Sequence, residues 1–248
     1  MNKNTLITLL FILIVGFCNA FELKPNQWTD FEGTLGTTRI QLSLFLFEDG
    51  KVKGNYCYKK FDTKIHFVGE IVDRKSITLS SIDDKKAPET FKGQFFTNEA
   101  DRFEGTWTNS DGSTLPFKLT LQSIVGSNFD SRYTDFFGSD TEVENFMKKV
   151  KKASLTNDKK WMANHVYYPL KTTLNGKKTI IIRNKEQFIS NFEKIFHPDF
   201  KAQIKNSCTC NMFNNYLGAT LNNGSIWINN SANSTKLKYD FVISALNN

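Results

Sequence analysis

The chain has 248 residues, 40% of them hydrophobic and 14% aromatic, with 23 Phe, 4 Cys and a net charge of +7. That much apolar and aromatic side chain excludes a disordered chain. So few cysteines exclude a fold held mainly by disulfides, so the core must rest on apolar burial.

The first twenty residues, MNKNTLITLLFILIVGFCNA, join a basic start at Lys3 to an apolar run over 6–17 and end in Cys-Asn-Ala. This pattern predicts a secretory signal peptide over 1–20, cleaved near Ala20, and hence a periplasmic or secreted location. The apolar run is short for a membrane anchor, and no later run is long enough to be one, so the mature chain is expected to have no transmembrane segment. Charge then divides the remainder. Residues 21–135 carry 15 basic and 17 acidic side chains, whereas 136–248 carry 16 and 8. The asymmetry predicts two units with different surfaces, at 21–123 and 137–248, joined by a linker at 124–136 that is rich in Gly, Ser and Asn.

From Phe31 onward, apolar and polar residues alternate in short runs. Ile40, Leu42, Leu44 and Leu46 share one face, and Val52, Gly54, Tyr56 and Tyr58 share the next. Further runs follow at 65–71, 77–79, 91–95, 103–107 and 115–121. Period-two alternation with short polar turns predicts an antiparallel meander of about eight strands. Gly54, Gly69, Gly93 and Gly105 all fall on the apolar face, where a missing side chain marks bending or close backbone approach. The meander is therefore expected to curl into a small closed barrel. The segment Gly105-Thr-Trp-Thr-Asn109-Ser-Asp-Gly-Ser113 resembles one carried by avidin-like barrels, in which the positions matching Asn109 and Ser113 face biotin. Here it lies on the last strand pair, so the reading preferred is a core Trp107 followed by a turn.

The second half reads as α+β. Ser139 and Glu142 form a capping box before a helix whose apolar positions are Val143, Phe146, Met147 and Val150. A short helix begins at Asn157-Asp158. Asn175-Gly176 predicts a type I′ hairpin between 172–174 and 178–182. Asn184 and Gln187 open another helix, with Phe188, Ile189, Phe192, Ile195 and Phe196 on one face. Strands are expected near 209–213, 225–228 and 236–243. This order resembles the NTF2-like (SnoaL-like) cone fold. The whole chain is similar to uncharacterised two-domain Gram-negative periplasmic proteins, through Tyr168-Pro169-Leu170, then Phe188 to Phe196, then Gly218 and Asn223-Gly224-Ser225-Ile226-Trp227. The resemblance implies a fold class of β + α+β, with an N-terminal meander barrel and a C-terminal NTF2-like cone. It implies no reaction.

Chemistry-bearing motifs are sparse. Asp240 is the one carboxylate expected in the last strand, on the face opposite Tyr239, Phe241 and Ile243, and no catalytic residue is assigned. His66, His165 and His197 lack the spacing of a metal site. Cys208-Thr209-Cys210 offers two soft ligands with no third nearby in sequence, so no metal site and no cofactor is predicted. Cys57, Cys208 and Cys210 suggest one disulfide and one spare thiol. A Cys208–Cys210 bridge requires a tight, strained loop, bridging Cys57 to either of the others requires the two halves to pack together, and three free thiols are the remaining alternative.

The clearest surface feature is the lysine run of the first helix. Helical spacing puts Lys148, Lys151 and Lys152 opposite the apolar stripe, as an exposed basic face for an acidic protein or an anionic envelope component. Nucleic acid is not expected as a partner. These features together predict a non-catalytic binding protein, such as an inhibitor or immunity protein against an envelope-targeting enzyme. The alternative is a small-ligand binder or enzyme using the cone pocket.

Overall fold

The computed structural model describes residues 22–58, 62–73, 75–82, 87–97, 101–133, 139–231 and 240–248. The signal-peptide reading, the site at Ala20, Phe136 and Tyr239 lie outside these residues. Eight strands, β1 (Trp28–Leu35), β2 (Thr38–Leu46), β3 (Lys51–Tyr58), β4 (Lys64–Ile71), β5 (Ser76–Ser81), β6 (Thr90–Thr97), β7 (Asp101–Thr108) and β8 (Thr114–Val125), pair antiparallel in sequence order. β1 also pairs with β8, Phe31 opposite Leu121, and this closes the barrel. Alternation decides the two faces, as expected. Phe31, Leu42, Leu44, Tyr56, Phe67, Phe91, Phe103, Phe117 and Leu119 fill the interior.

The inward glycines do what their positions suggest. Gly93 and Gly105 stand opposite each other on β6 and β7. A Cβ on Gly105 would lie 2.1 Å from the Lys92 oxygen, and one on Gly93 would lie 2.6 Å from the tip of Phe117. The pair thus lets two strands coil tightly and makes room for rings inside. Gly105→Ala should cost about 1–3 kcal/mol, the usual range for overpacking a tight core. Urea unfolding would measure it, and a loss below about 0.5 kcal/mol would mean that the strands have slack. Trp107 is buried in the same core, while Asn109 accepts the Gly112 N–H in the turn that follows. Its side-chain oxygen accepts the Ser110 N–H, so the turn uses the groups that the avidin-like reading would offer to a ligand.

The second unit begins with α1 (Asp140–Thr156), whose Ser139–Glu142 capping box is formed in both directions. α2 (Lys159–Asn164) follows, capped by Asp158. The hairpin β9 (Leu170–Leu174) and β10 (Lys178–Ile182) turns at Asn175 and Gly176, both in the left-handed region. α3 (Lys185–Ile195) is capped by Asn184. The sheet β11 (Phe213–Asn215), β12 (Gly218–Leu221), β13 (Ile226–Asn230) and β14 (Phe241–Leu246) closes the chain. β9 lies against β14, where the Thr172 hydroxyl donates to the Leu246 carbonyl. Phe188, Phe192, Phe196, Phe200 and Met147 are fully buried in the core formed with these strands.

α3 ends just before His197, and Pro198 then opens a further helix, α4 (Pro198–Lys205), because Pro at the first position of a helix has its φ already set. Two expectations are corrected here. Residues 218–221 add a strand that was not expected. The segment 209–213 is not a strand until Phe213. Thr209, Cys210, Asn211 and Met212 are all buried, and the N–H groups of Thr209, Asn211 and Met212 bond to side chains rather than to a ladder. The stretch 124–136 is tied down where it is described. Ile124 and Val125 end β8, Phe129 stacks on Trp28, and Arg132 and Tyr133 are buried.

Candidate functional site

Residues that alternate outward on a barrel normally meet water. On β6 and β7 they are Lys92, Gln94, Glu104 and Thr106, and none is buried. On β1, β2 and β3 they include Trp28, Asp30, Ser43, Phe45, Asn55 and Cys57, and all six are buried. The second unit covers this part of the barrel, through the segment leading into α1, one side of α1 and the loop between α4 and β11.

That interface carries many polar groups, and most of them are matched; the Arg132 Nη1 and the Thr209 hydroxyl have no hydrogen-bond partner among the described residues. Asp30 receives the Arg132 guanidinium at 2.5 Å and the hydroxyls of Ser43 and Ser123, each at 2.7 Å. Arg132 also donates to the carbonyls of Asn211 and Met212 and lies 5.5 Å from the Trp28 ring centre. Glu144 of α1 receives the Lys64 ammonium at 2.7 Å, the Tyr133 hydroxyl and the Asn211 N–H. Burial pushes the Glu144 carboxyl above its ordinary value, against the pull of Lys64. Asn211 donates its side-chain amide to Asn55 at 2.6 Å.

Within this interface the three cysteines of the described chain meet. Cys57 projects from β3, while Cys208 and Cys210 come from the loop after α4. All three are buried free thiols, with their sulfurs within 4.8 Å of one another. The Cys57 and Cys208 sulfurs are 2.9 Å apart, and the Cys210 N–H donates to the Cys208 sulfur at 3.3 Å. Hydrogen bonds from Cys208 and then Cys57 pull the Cys210 thiol well below the usual thiol range, and the Lys64 charge adds to this. The same bonds push Cys57 up. The loop is braced from outside. Asp62 accepts the Thr209 N–H at 2.8 Å and pairs with Lys151, which also donates to the Ser207 carbonyl. A buried group of three sulfurs can bind a soft metal ion, or it can form one disulfide and leave one thiol. The halves pack together, so the condition for bridging Cys57 to the Cys-Thr-Cys loop is met.

The basic face is placed differently from the expectation. Lys152 is exposed, Lys148 is half-buried, and the Lys151 side chain is only 13% exposed because it serves the Asp62 pair. The reason is that α1 has two covered sides. One is the apolar stripe, and the other carries Glu144, Lys148 and Lys151 at positions i, i+4 and i+7 toward the barrel. Lys149 is exposed as well.

Asp240 is exposed at the start of β14 and accepts the Ser231 hydroxyl. His66 is exposed, His165 stacks on Trp161, and His197 caps α4, so the three do not converge. The sequence reading weighed Cys57 as a disulfide partner of Cys208 or Cys210 but missed it as the third sulfur beside them. The available signal was a cysteine at an outward strand position with uncharged Asn55 as its neighbour on that face. Among the described residues no helix is long and apolar enough to cross a membrane. No family model, no curated protein and no solved structure matches the chain.

Proposed function

We propose that the chain is an exported, non-catalytic binding protein whose second unit is an NTF2-like cone with a filled interior. The observation that carries this reading is the filling. Phe188, Phe192, Phe196, Phe200 and Ile195 have no exposed surface and pack into the one hydrophobic core of the second unit. Asp240, the one carboxylate expected in the last strand, is exposed. A protein with a filled interior acts through its outer surface. The partner fitted by the basic second unit is an acidic protein of the envelope, and the reading in concrete terms is an inhibitor or immunity protein. Exposed Lys149 and Lys152 give that surface charge, and Tyr216 and Leu217, 75% and 51% exposed in the turn between β11 and β12, give it apolar contact.

The double variant Lys149→Glu/Lys152→Glu should keep its stability to within about 0.5 kcal/mol per site, since both side chains are exposed. Acidic envelope proteins retained by the parent at low salt should be lost by the variant, with association slowed roughly tenfold or more. Equal retention by parent and variant would remove the basic face from the proposal. Retention of no protein by the parent would remove the binding function itself.

A further inference from the structure

We infer that Cys57, Cys208 and Cys210 form a three-coordinate thiolate site for a soft monovalent ion, Cu(I), at the junction of the two units. A disulfide needs two sulfurs, yet three converge within 4.8 Å, from positions 57, 208 and 210. Each is buried. Among the described residues no further His, Cys, Asp or Glu joins the group. Thiolate sulfur suits Cu(I), Zn(II) and iron–sulfur clusters, but structural Zn(II) sites take four protein ligands and the clusters are commonly held by four cysteines. Three sulfurs without a fourth ligand therefore favour Cu(I).

The surroundings fit a site that becomes more negative on loading. The thiols release their protons to solvent as sulfur–copper bonds form, and no electron moves. Lys64, which pairs with Glu144, stands directly across from Cys57 on β4, and the Lys151 ammonium, which pairs with Asp62, is held at the Ser207 carbonyl next to Cys208. The Cys210 N–H already points at the Cys208 sulfur, and a main-chain donor of that kind favours a thiolate. Asp62 fixes the Thr209 N–H between the two loop ligands, which is the outer support that metal ligands commonly have. The buried Thr209 hydroxyl has no hydrogen-bond partner among the described residues, so it is available to a thiolate.

The test uses the whole chain, reduced under anaerobic conditions, with Cu(I) supplied against bicinchoninate as competitor. The expected result is one Cu(I) per chain, a thiolate-to-copper absorption in the ultraviolet, and protection of all three cysteines from alkylation in mass mapping. Cys57→Ser should weaken retention by more than about tenfold, because losing even an outer support costs a metal site that much. Should Cys57→Ser fail to fold, the alkylation map of the parent still decides. Protection of only Cys208 and Cys210 overturns the inference, as does failure to hold Cu(I) against the competitor. A Cys57–Cys208 bridge in protein taken directly from the exporting cell also overturns it, because that bond consumes two of the three ligands.

Discussion

Asp30→Ala should destabilise the protein by about 3–5 kcal/mol, the usual cost of removing one partner from a buried ion pair. Asp30 and Arg132 are each 1% exposed, and the guanidinium has no other carboxylate bonded to it among the described residues. The variant would keep a buried positive charge hydrogen-bonded to carbonyls alone, with the Trp28 ring beside it and Glu144 as the remaining nearby carboxylate, and it would free the hydroxyls of Ser43 and Ser123. The double variant Asp30→Ala/Arg132→Met should recover part of the loss, because a pair replaced by apolar side chains no longer leaves a charge behind. Urea unfolding of the parent, single and double variants measures both effects. A single-variant cost below about 1 kcal/mol would mean that water reaches Arg132.

Phe192→Ala is the second large effect, at about 3–5 kcal/mol with a cavity left behind. Phe192 has no exposed surface and touches the rings of Phe188 and Phe196, at 5.9 and 4.6 Å between centres. Lys159 and Lys201 lie over its outer side, each near 6 Å from the ring centre and each paired with Glu193. The melting temperature should fall by several degrees for each kcal/mol in a chain of this size. The measurement also bears on the functional proposal. A ring that lined an open pocket would already be partly wet, and its removal would cost about 1 kcal/mol or less.

The barrel was readable in the sequence because one-sided burial writes itself as alternation. Ile40, Leu42 and Leu44 on β2 or Phe91, Gly93 and Phe95 on β6 admit a single inward face. The α1 capping box was equally plain, because its bonds are local. The reading weakened where a second layer covers an already amphipathic element. Lys151 looks like a solvent-facing lysine at its helical position, and only the barrel beyond it, through Asp62, makes it internal. The loop 207–212 misled for the same reason. Buried on both sides, it has the apolar density of a strand while its backbone is served by Asp62, Glu144 and Tyr133. Cys57 and Cys208 are 151 positions apart, a separation that no local pattern records.

The Asp30–Arg132 pair sits at the seam where the barrel closes. Asp30 is on β1, its partner Ser123 is on β8, and the register between these strands shifts next to Asp30. A closing seam is where a barrel would open first, since nothing local in sequence holds its two strands together. Here the second unit supplies the latch. Detaching that unit strips the seam of its strongest side-chain bond, and opening the seam strips the second unit of its anchor. The two halves, with separate hydrophobic cores, are therefore coupled into a single cooperative element, in which exchange of β1 and β8 amides with solvent would follow the opening of the whole protein and not of the barrel alone.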